Sequence, residues 1–303
     1  MNKVALITGA GGYLGGESAV TLAKQGIKVA VCDINPETIE KTLERIKLAG
    51  GEAKGYVLDV TESADVERVV AEVVSDFGRL DISIHVAGGS ARIAGPDIKF
   101  ATLVDREDYV IDHVLKVNLY GAFWVSRAAA RVMIKQGEGG KIINFSSAVG
   151  FNGLVGCSDY AAAKGGVISF TKALAKELGK YKINVNSVAP GVVCRPEVDV
   201  TTEAGKKYAY GTNLLGEKCD ATDIANLVES QIVKPSATLF LINSKGDKKP
   251  KHFRGLLLIN ETTASNLSWG RLRKSVPFGK KKRIKPLMFS LLPLCHGEWE
   301  SAK

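Results

Sequence analysis

Between residues 3 and 86, short apolar runs alternate without a break with segments of helical period, the pattern resumes to 188 after an aperiodic loop at 90–105, and no other feature constrains the fold as tightly. Apolar runs stand at 3–8, 27–32, 54–60, 80–86, 141–145 and 182–188. Helical periodicity stands between them at 17–25, 36–48, 63–77, 106–115, 119–134 and from about 159 to 180, with Ser63 expected as the cap of the third helix. A strand, a helix and a further strand in this rhythm give parallel strands joined by crossover helices. The expectation is an α/β fold, a doubly wound parallel sheet of the Rossmann type in a single domain. Ligands of such sheets bind beyond the carboxyl ends of the strands, where Gly9, Asp33, Asp59, Gly88 and Ser147 fall.

The first run ends at Thr8 in a glycine turn, Gly9-Ala-Gly-Gly-Tyr-Leu-Gly15. Glycine lets the backbone turn sharply and approach a pyrophosphate, whose charge is attracted by the free N–H groups of the helix start. The second run ends at Asp33, 18 residues past Gly15. A carboxylate there accepts hydrogen bonds from the adenosine ribose and repels a 2′-phosphate, which favours NAD over NADP. Read locally, Asp33 is a turn residue before Asn35-Pro36.

In the stretch D-Y-A-A-A-K-G-G at 159–166, Tyr160 and Lys164 stand four residues apart and share one helix face. A free tyrosine, with a pKa of about 10, exchanges protons poorly at neutral pH, but a cation within about 4–6 Å favours the phenolate. Such a pair is a candidate general acid/base. A solvated tyrosine and lysine have the same spacing, so the motif alone leaves both readings open. The small residues at 161–166 make this helix slim, which suggests a subunit interface.

The net charge of +9 points to a polyanionic partner only until it is divided along the chain. Residues 1–229 carry 26 Lys and Arg against 28 Asp and Glu; residues 230–303 carry 15 against 4. The basic charge therefore belongs to the tail. Its run Gly279-Lys-Lys-Lys-Arg-Ile-Lys285 has few interleaved aromatics and reads as a solvated segment, so a nucleic-acid partner is not expected. Five scattered cysteines without a C-x-x-C pair indicate reduced thiols, with neither a disulfide framework nor a metal site. No run of eighteen apolar residues and no signal-peptide core is present, so no membrane span and a cytoplasmic location are expected.

With these pieces in order, the chain resembles the short-chain dehydrogenase/reductase family over residues 3–229, in its single-domain branch and most of all the 3-oxoacyl-acyl-carrier-protein reductase-like members. The motifs that carry the likeness are the Thr8-Gly9 turn, Asp59-Val60, Ala87-Gly88, Asn118 in K-V-N-L-Y-G, Ser147 in N-F-S-S-A-V-G, Tyr160 with Lys164, and Pro190-Gly191. The resemblance implies an enzyme that moves a hydride between a nicotinamide cofactor and a secondary alcohol or ketone. Substrate candidates are a 3-oxoacyl thioester or a sugar, polyol or steroid alcohol; NAD is the preferred cofactor and NADP the second candidate. It further implies that Tyr160 exchanges the proton with the substrate oxygen, Lys164 holds the nicotinamide ribose and lowers the tyrosine pKa, Ser147 binds the substrate oxygen, and Asn118 fixes a relay water. Cofactor contacts are implied at Thr8, Gly9, Gly12, Tyr13, Leu14, Gly15, Asp33, Asp59, Val60, Ala87, Gly88, Tyr160, Lys164, Pro190, Gly191 and Val193. A homo-oligomer, dimer or tetramer, is implied as well. Read singly, Ser147 caps the following turn, Asn118 kinks a helix and Lys164 is solvated.

Four features depart from the family pattern. The middle glycine of T-G-x-x-x-G-x-G falls on Tyr13, and the chain reads T-G-x-x-G-x-x-G instead. The family's N-N-A-G is His85-Val86-Ala87-Gly88, whose histidine reads as a packed strand residue and not a new base. Arg195 stands where a threonine usually meets the nicotinamide amide; it replaces that contact, meets an acidic substrate or faces solvent. Past a late helix at 221–229, the expected seventh strand and double glycine are missing, and residues 256–259 are a candidate substitute strand. The chain is accordingly divided into a dehydrogenase domain at 1–229 and a basic segment at 230–303. Residues 192–216 read as a specificity lid. The competing readings are a nucleotide-binding protein with impaired catalysis and, through the tail, a nucleic-acid-associated protein.

Overall fold

The computed structural model describes residues 3–90, 101–210, 219–233, 239–242 and 257–260. Six strands form one sheet: β1 (Val4–Thr8), β2 (Lys28–Asp33), β3 (Ala53–Val57), β4 (Ile82–His85), β5 (Gly140–Phe145) and β6 (Ile183–Val188). Their order is β3-β2-β1-β4-β5-β6 and every pairing is parallel. This is the Rossmann order, in which the chain reverses its direction of travel between β1 and β4. Crevices at such a switch point open at the carboxyl ends of the strands, and Gly9 and Gly88 follow β1 and β4 there.

The strands read as continuous apolar runs because both faces of the sheet are buried. Ala5 and Ile7 of β1 point into one layer, shared with α1 (Tyr13–Lys24) and α2 (Pro36–Leu48). Val4 and Leu6 point into the other, shared with α3 (Ser63–Phe77). Each fully buried leucine or isoleucine contributes about 1.5–3 kcal/mol relative to its exposed state.

Local chemistry fixes the helix ends. Asn35 caps α2 by accepting the Glu37 N–H at 2.9 Å, and Pro36 occupies its first turn. Gly78 ends α3 in the left-handed conformation, at φ 80°. Two expected ends move. The residue that caps α3 is Glu62; Ser63 is its first helical residue and accepts a hydrogen bond from Arg127 Nη2 at 2.8 Å. The first helix starts at Tyr13 and not at 17, because Gly12 already stands at its cap. The third strand, expected to reach 60, leaves the ladder after Val57 pairs with Asp33, so Asp59 and Val60 lie beyond it.

The segments expected as separate helices at 106–115 and 119–134 form one continuous helical rod. α4 (Asp108–Leu115) passes through a π turn at Lys116–Tyr120 into α5 (Gly121–Gln136). The rod is followed by α6 (Val149–Asn152), α7 (Ser158–Leu178), α8 (Glu203–Tyr210) and α9 (Ala221–Val233). α9 continues past the expected boundary at Glu229, and its Ile224, Leu227, Val228 and Ile232 complete the layer over α1. The run expected as a substitute strand becomes β8 (Leu257–Asn260), which pairs antiparallel with β7 (Leu239–Ile242) and does not enter the main ladder. The lysine-rich run at 279–285 and part of the expected lid, 211–216, lie outside the described residues. Among the described residues no helix is long and apolar enough to cross a membrane.

Candidate active site

The glycine turn is built for close approach. Gly9 adopts φ +64°, and a Cβ there would lie 2.7 Å from the Ala87 nitrogen. A Cβ on Gly15 would lie 2.2 Å from the Gly9 carbonyl oxygen. Only glycine lets β1, α1 and the end of β4 meet this tightly. Gly12 at the cap of α1 offers no side-chain hydrogen bond, and the first turn of that helix holds no acidic residue. Its free N–H groups and dipole therefore suit an anion such as a diphosphate. Asp33 stands beside this turn: Oδ2 accepts the Gly11 N–H at 2.9 Å, while Oδ1 accepts the Asn35 N–H at 3.2 Å. It is thus a turn residue and, at the same time, a carboxylate at the end of β2 next to the glycines. On these observations the residues fit a dinucleotide cofactor.

The end of β5 and the start of α7 bring the polar side chains together. Tyr160 and Ser147 line the same cavity, and Ser147 Oγ accepts the Val149 N–H at 3.2 Å. Ser147 is therefore a turn cap and also a neighbour whose hydroxyl favours the ionised phenol. Burial raises the Tyr160 pKa above its ordinary value; the Ser147 hydroxyl opposes this and the Cys157 thiol adds to it. Burial, and not the Lys164 charge, sets the direction of this shift. Lys164 is not solvated either. It is 3% exposed, its Nζ lies 5.7 Å from the Tyr160 ring centroid, and it donates to the Phe145 carbonyl at 2.8 Å. Removal from water brings its pKa down to about 7.

Two further groups brace this edge. Asn118, fully buried in the π turn, accepts the Gly89 N–H at 3.0 Å and donates to the Gly89 and Val114 carbonyls at 2.8 Å. The side chain that the resemblance assigns to a relay water is thus engaged with backbone. Thr8 Oγ1 accepts the Ala87 N–H at 3.3 Å and bonds His85 Nδ1 at 2.9 Å. His85 is 1% exposed, and burial together with the Lys164 charge pushes its pKa down to about 3, so it stays neutral as a packed strand residue.

One cavity of about 380 Å³ joins these parts. Its walls include Gly9, Gly12, Tyr13, Leu14, Gly15, Ala87, Gly88, Ser147, Tyr160, Lys164, Pro190, Gly191 and Val193. Arg195 also lines it, with a half-exposed side chain 3.7 Å from Glu197. Of the remaining sequence candidates, Thr8 and Asn118 are fully buried, and Asp33 stands partly exposed beside the glycine turn, outside the lining. Asp59 closes a local turn by accepting the Thr61 N–H at 2.9 Å and the Thr61 hydroxyl at 2.7 Å, and Val60 is buried, within reach of any side chain placed at Gly121. The slim start of α7 is used within the chain: a Cβ on Gly150 would lie 2.8 Å from the Gly165 nitrogen, and one on Gly166 would lie 3.0 Å from Leu119.

Sequence reasoning missed one group. Arg106 and Asp159, each with a side chain 1% exposed, form an ion pair at 3.5 Å directly before Tyr160. Val110 and Val114 pack against the Tyr160 ring. No local pattern in the sequence marks the pair: Arg106 stands before α4 in extended backbone, and only Val110, Val114 and Asn118 follow one another at four-residue steps.

A parallel sheet in this order, with a partly buried tyrosine and a buried lysine facing a glycine turn across one cavity, defines a Rossmann-type oxidoreductase. The chain belongs to the short-chain dehydrogenase family, whose model matches residues 3–207. It is 39% identical to the short-chain reductase protein NovJ of Streptomyces niveus, over 73% of this chain and 85% of that protein. It is 35% identical to the 3-oxoacyl-(acyl-carrier-protein) reductase FabG of Thermotoga maritima, over 75% and 88%. Among solved structures, an NAD+-bound xylitol dehydrogenase is similar at a TM-score of 0.70 and 30% identity, covering 78% of this chain and 96% of that one. A variant of actinorhodin polyketide ketoreductase with NADPH is similar at 0.70 and 32%, covering 77% and 91%. The protein is therefore an oxidoreductase that acts on hydroxyl or keto groups.

Proposed function

We propose that the protein interconverts a secondary alcohol and a ketone with NAD as its preferred cofactor. The observation that carries this reading is the single cavity whose walls hold both the glycine turn and the Ser147, Tyr160 and Lys164 side chains. The cofactor supplies the hydride acceptor or donor. Gly9, Gly12 and the start of α1 hold its diphosphate, Asp33 takes the ribose hydroxyls, and Pro190, Gly191 and Val193 border the nicotinamide end. Asp59 and Val60 support the adenine side, and Thr8, Ala87 and Gly88 shape the floor.

The chain's own side chains handle the proton. Ser147 donates to the substrate oxygen and orients it. Tyr160, kept as a neutral phenol by burial, gives its proton to the developing alkoxide in reduction or receives one in oxidation. Lys164 in its charged form stabilises the phenolate left behind. The likeness to 3-oxoacyl reductases supports a 3-oxoacyl thioester among the candidate substrates, and Asp33 favours NAD over the NADPH seen with one structural neighbour. Arg195 is a fixed cation on the cavity wall and favours a substrate with an anionic group. Residues 1–229, extended by the rest of α9, form the catalytic domain in this reading, and 230–303 form a basic extension. In this reading the protein is cytoplasmic, and it is homo-oligomeric, as the family likeness suggests.

The test is a titration with NADH and with NADPH by nicotinamide fluorescence, followed by turnover assays on secondary alcohols, polyols and 3-oxoacyl thioesters. The expected result is tighter NADH binding and turnover of at least one class. NADH binding without turnover of any class would favour the non-catalytic nucleotide-binding reading.

A further inference from the structure

We propose that the buried ion pair Arg106–Asp159 is a positioning device for Tyr160, setting how the catalytic helix α7 registers against α4; this rests on the reading of Tyr160 as the acid/base. Arg106 Nε lies 3.5 Å from Asp159 Oδ2, and Arg106 Nη2 donates to the Gly156 carbonyl. The other Asp159 oxygen, Oδ1, accepts the N–H of Tyr160 itself at 2.8 Å. One guanidinium thus holds the chain just before α7 and the carboxylate that in turn holds the tyrosine backbone.

The pair is not explained by stability. Taking two charges out of water is costly, and apolar side chains of similar volume usually serve packing as well or better; the best-attested use of such a pair is to fix register. An aspartate in the first turn of α7 would already gain a helix-dipole interaction from an exposed position.

Register is what the geometry defines. Arg106 just before α4, Val110 and Val114 within it and Asn118 in the π turn meet three successive parts of the site. Arg106 reaches Asp159, Val110 and Val114 are fully buried against the Tyr160 ring, and Asn118 holds Gly89. A slide of α7 along α4 would move the phenol relative to the loop beside Lys164, and a misplacement of about 1 Å in a reacting group can cost about a hundredfold in rate.

The experiment uses the full chain, NADH and the panel substrate turned over fastest. Three variants are compared with wild type: Asp159→Asn, the apolar double variant Arg106→Met/Asp159→Leu, and the neutral hydrogen-bonding double variant Arg106→Gln/Asp159→Asn. Stability, NADH affinity, KM and kcat are read separately. The apolar double variant is expected to keep wild-type stability and NADH affinity while kcat falls by about tenfold or more. The neutral double variant, which remakes a directional contact, is expected to recover most of the kcat lost in Asp159→Asn. A kcat within twofold of wild type in the apolar double variant would overturn the proposal, as would losses that follow stability alone; if that variant fails to fold, the same criterion applies to Asp159→Asn. Tyr160→Phe measured alongside separates the two failures. If Tyr160→Phe keeps wild-type turnover, the acid/base assignment falls and the positioning role with it; if it is inactive while the other variants keep kcat, the positioning role alone falls.

Discussion

Asn118 holds the backbone of Gly89 from both sides, accepting its N–H at 3.0 Å and donating to its carbonyl at 2.8 Å. The asparagine lies in a π turn, a bulge that recurs at functional sites because it re-aims one residue out of the helical ladder. Asn118→Ala removes both bonds and leaves buried backbone groups unpaired, at a cost of about 1–3 kcal/mol. The denaturant midpoint is expected to drop and kcat to fall, and an unchanged midpoint would mean that the loop is held elsewhere.

Lys164 links stability to pH. Its pKa in the fold is about 7, well below the ordinary lysine value of 10.5, because burial disfavours the charged form. Between these values the unfolded chain binds more protons than the folded one, so stability rises with pH across that window and is lowest below it. The cofactor-free protein should therefore resist urea better as pH increases from about 7 towards 10. Lys164→Met should lack this slope, be more stable at pH 7 and lose turnover; parallel slopes in the two proteins would contradict the buried cation.

Gly9 is irreplaceable for two reasons at once, its φ of +64° and the 2.7 Å separation from the Ala87 nitrogen that a Cβ would impose. Gly9→Ala is expected to destabilise the protein by about 1–3 kcal/mol and to weaken NADH binding. Urea unfolding with an unchanged slope and a lower midpoint is the readout.

In the proposed reading, Asp33 sets the cofactor preference through its charge. Asp33→Ala removes the repulsion of a 2′-phosphate and the ribose acceptor together, so NADH binding weakens and NADPH binding improves. Paired fluorescence titrations should give a smaller ratio of the two affinities than wild type. An unchanged ratio would assign the preference to another residue.

The parallel sheet, the glycine turn and the Tyr160–Lys164 helix were legible because each depends on neighbours in sequence: alternating apolar runs, turn residues and a four-residue spacing. The π turn was not. One extra residue in the helical ladder shifts the apolar face, so the periodicity stops near Leu115 and restarts at Leu119, although the chain stays helical. The burial of Lys164 was equally hidden, since a lysine is solvated by default and only the packing of α7 against β5 withdraws it. The Arg106–Asp159 pair joins residues far apart in the chain, and no local pattern announces it. The exchange of the cap from Ser63 to Glu62 is a one-residue shift of the kind that helix ends commonly show.

The tail is the hardest part to read from sequence, for a physical reason. An antiparallel pair of four-residue strands, β7 and β8, has too few residues for its pattern to identify a partner, and either run could equally have joined the edge at β6.

The central claim is that Tyr160 moves the proton while the cofactor site stands apart from it. The measurement that tests it most directly compares Tyr160→Phe with wild type for NADH affinity and for turnover of the same substrate. The account predicts an NADH dissociation constant within about twofold and a turnover at least about a hundredfold lower, the usual worth of a general acid/base. Turnover retained at more than a few per cent of wild type would contradict it.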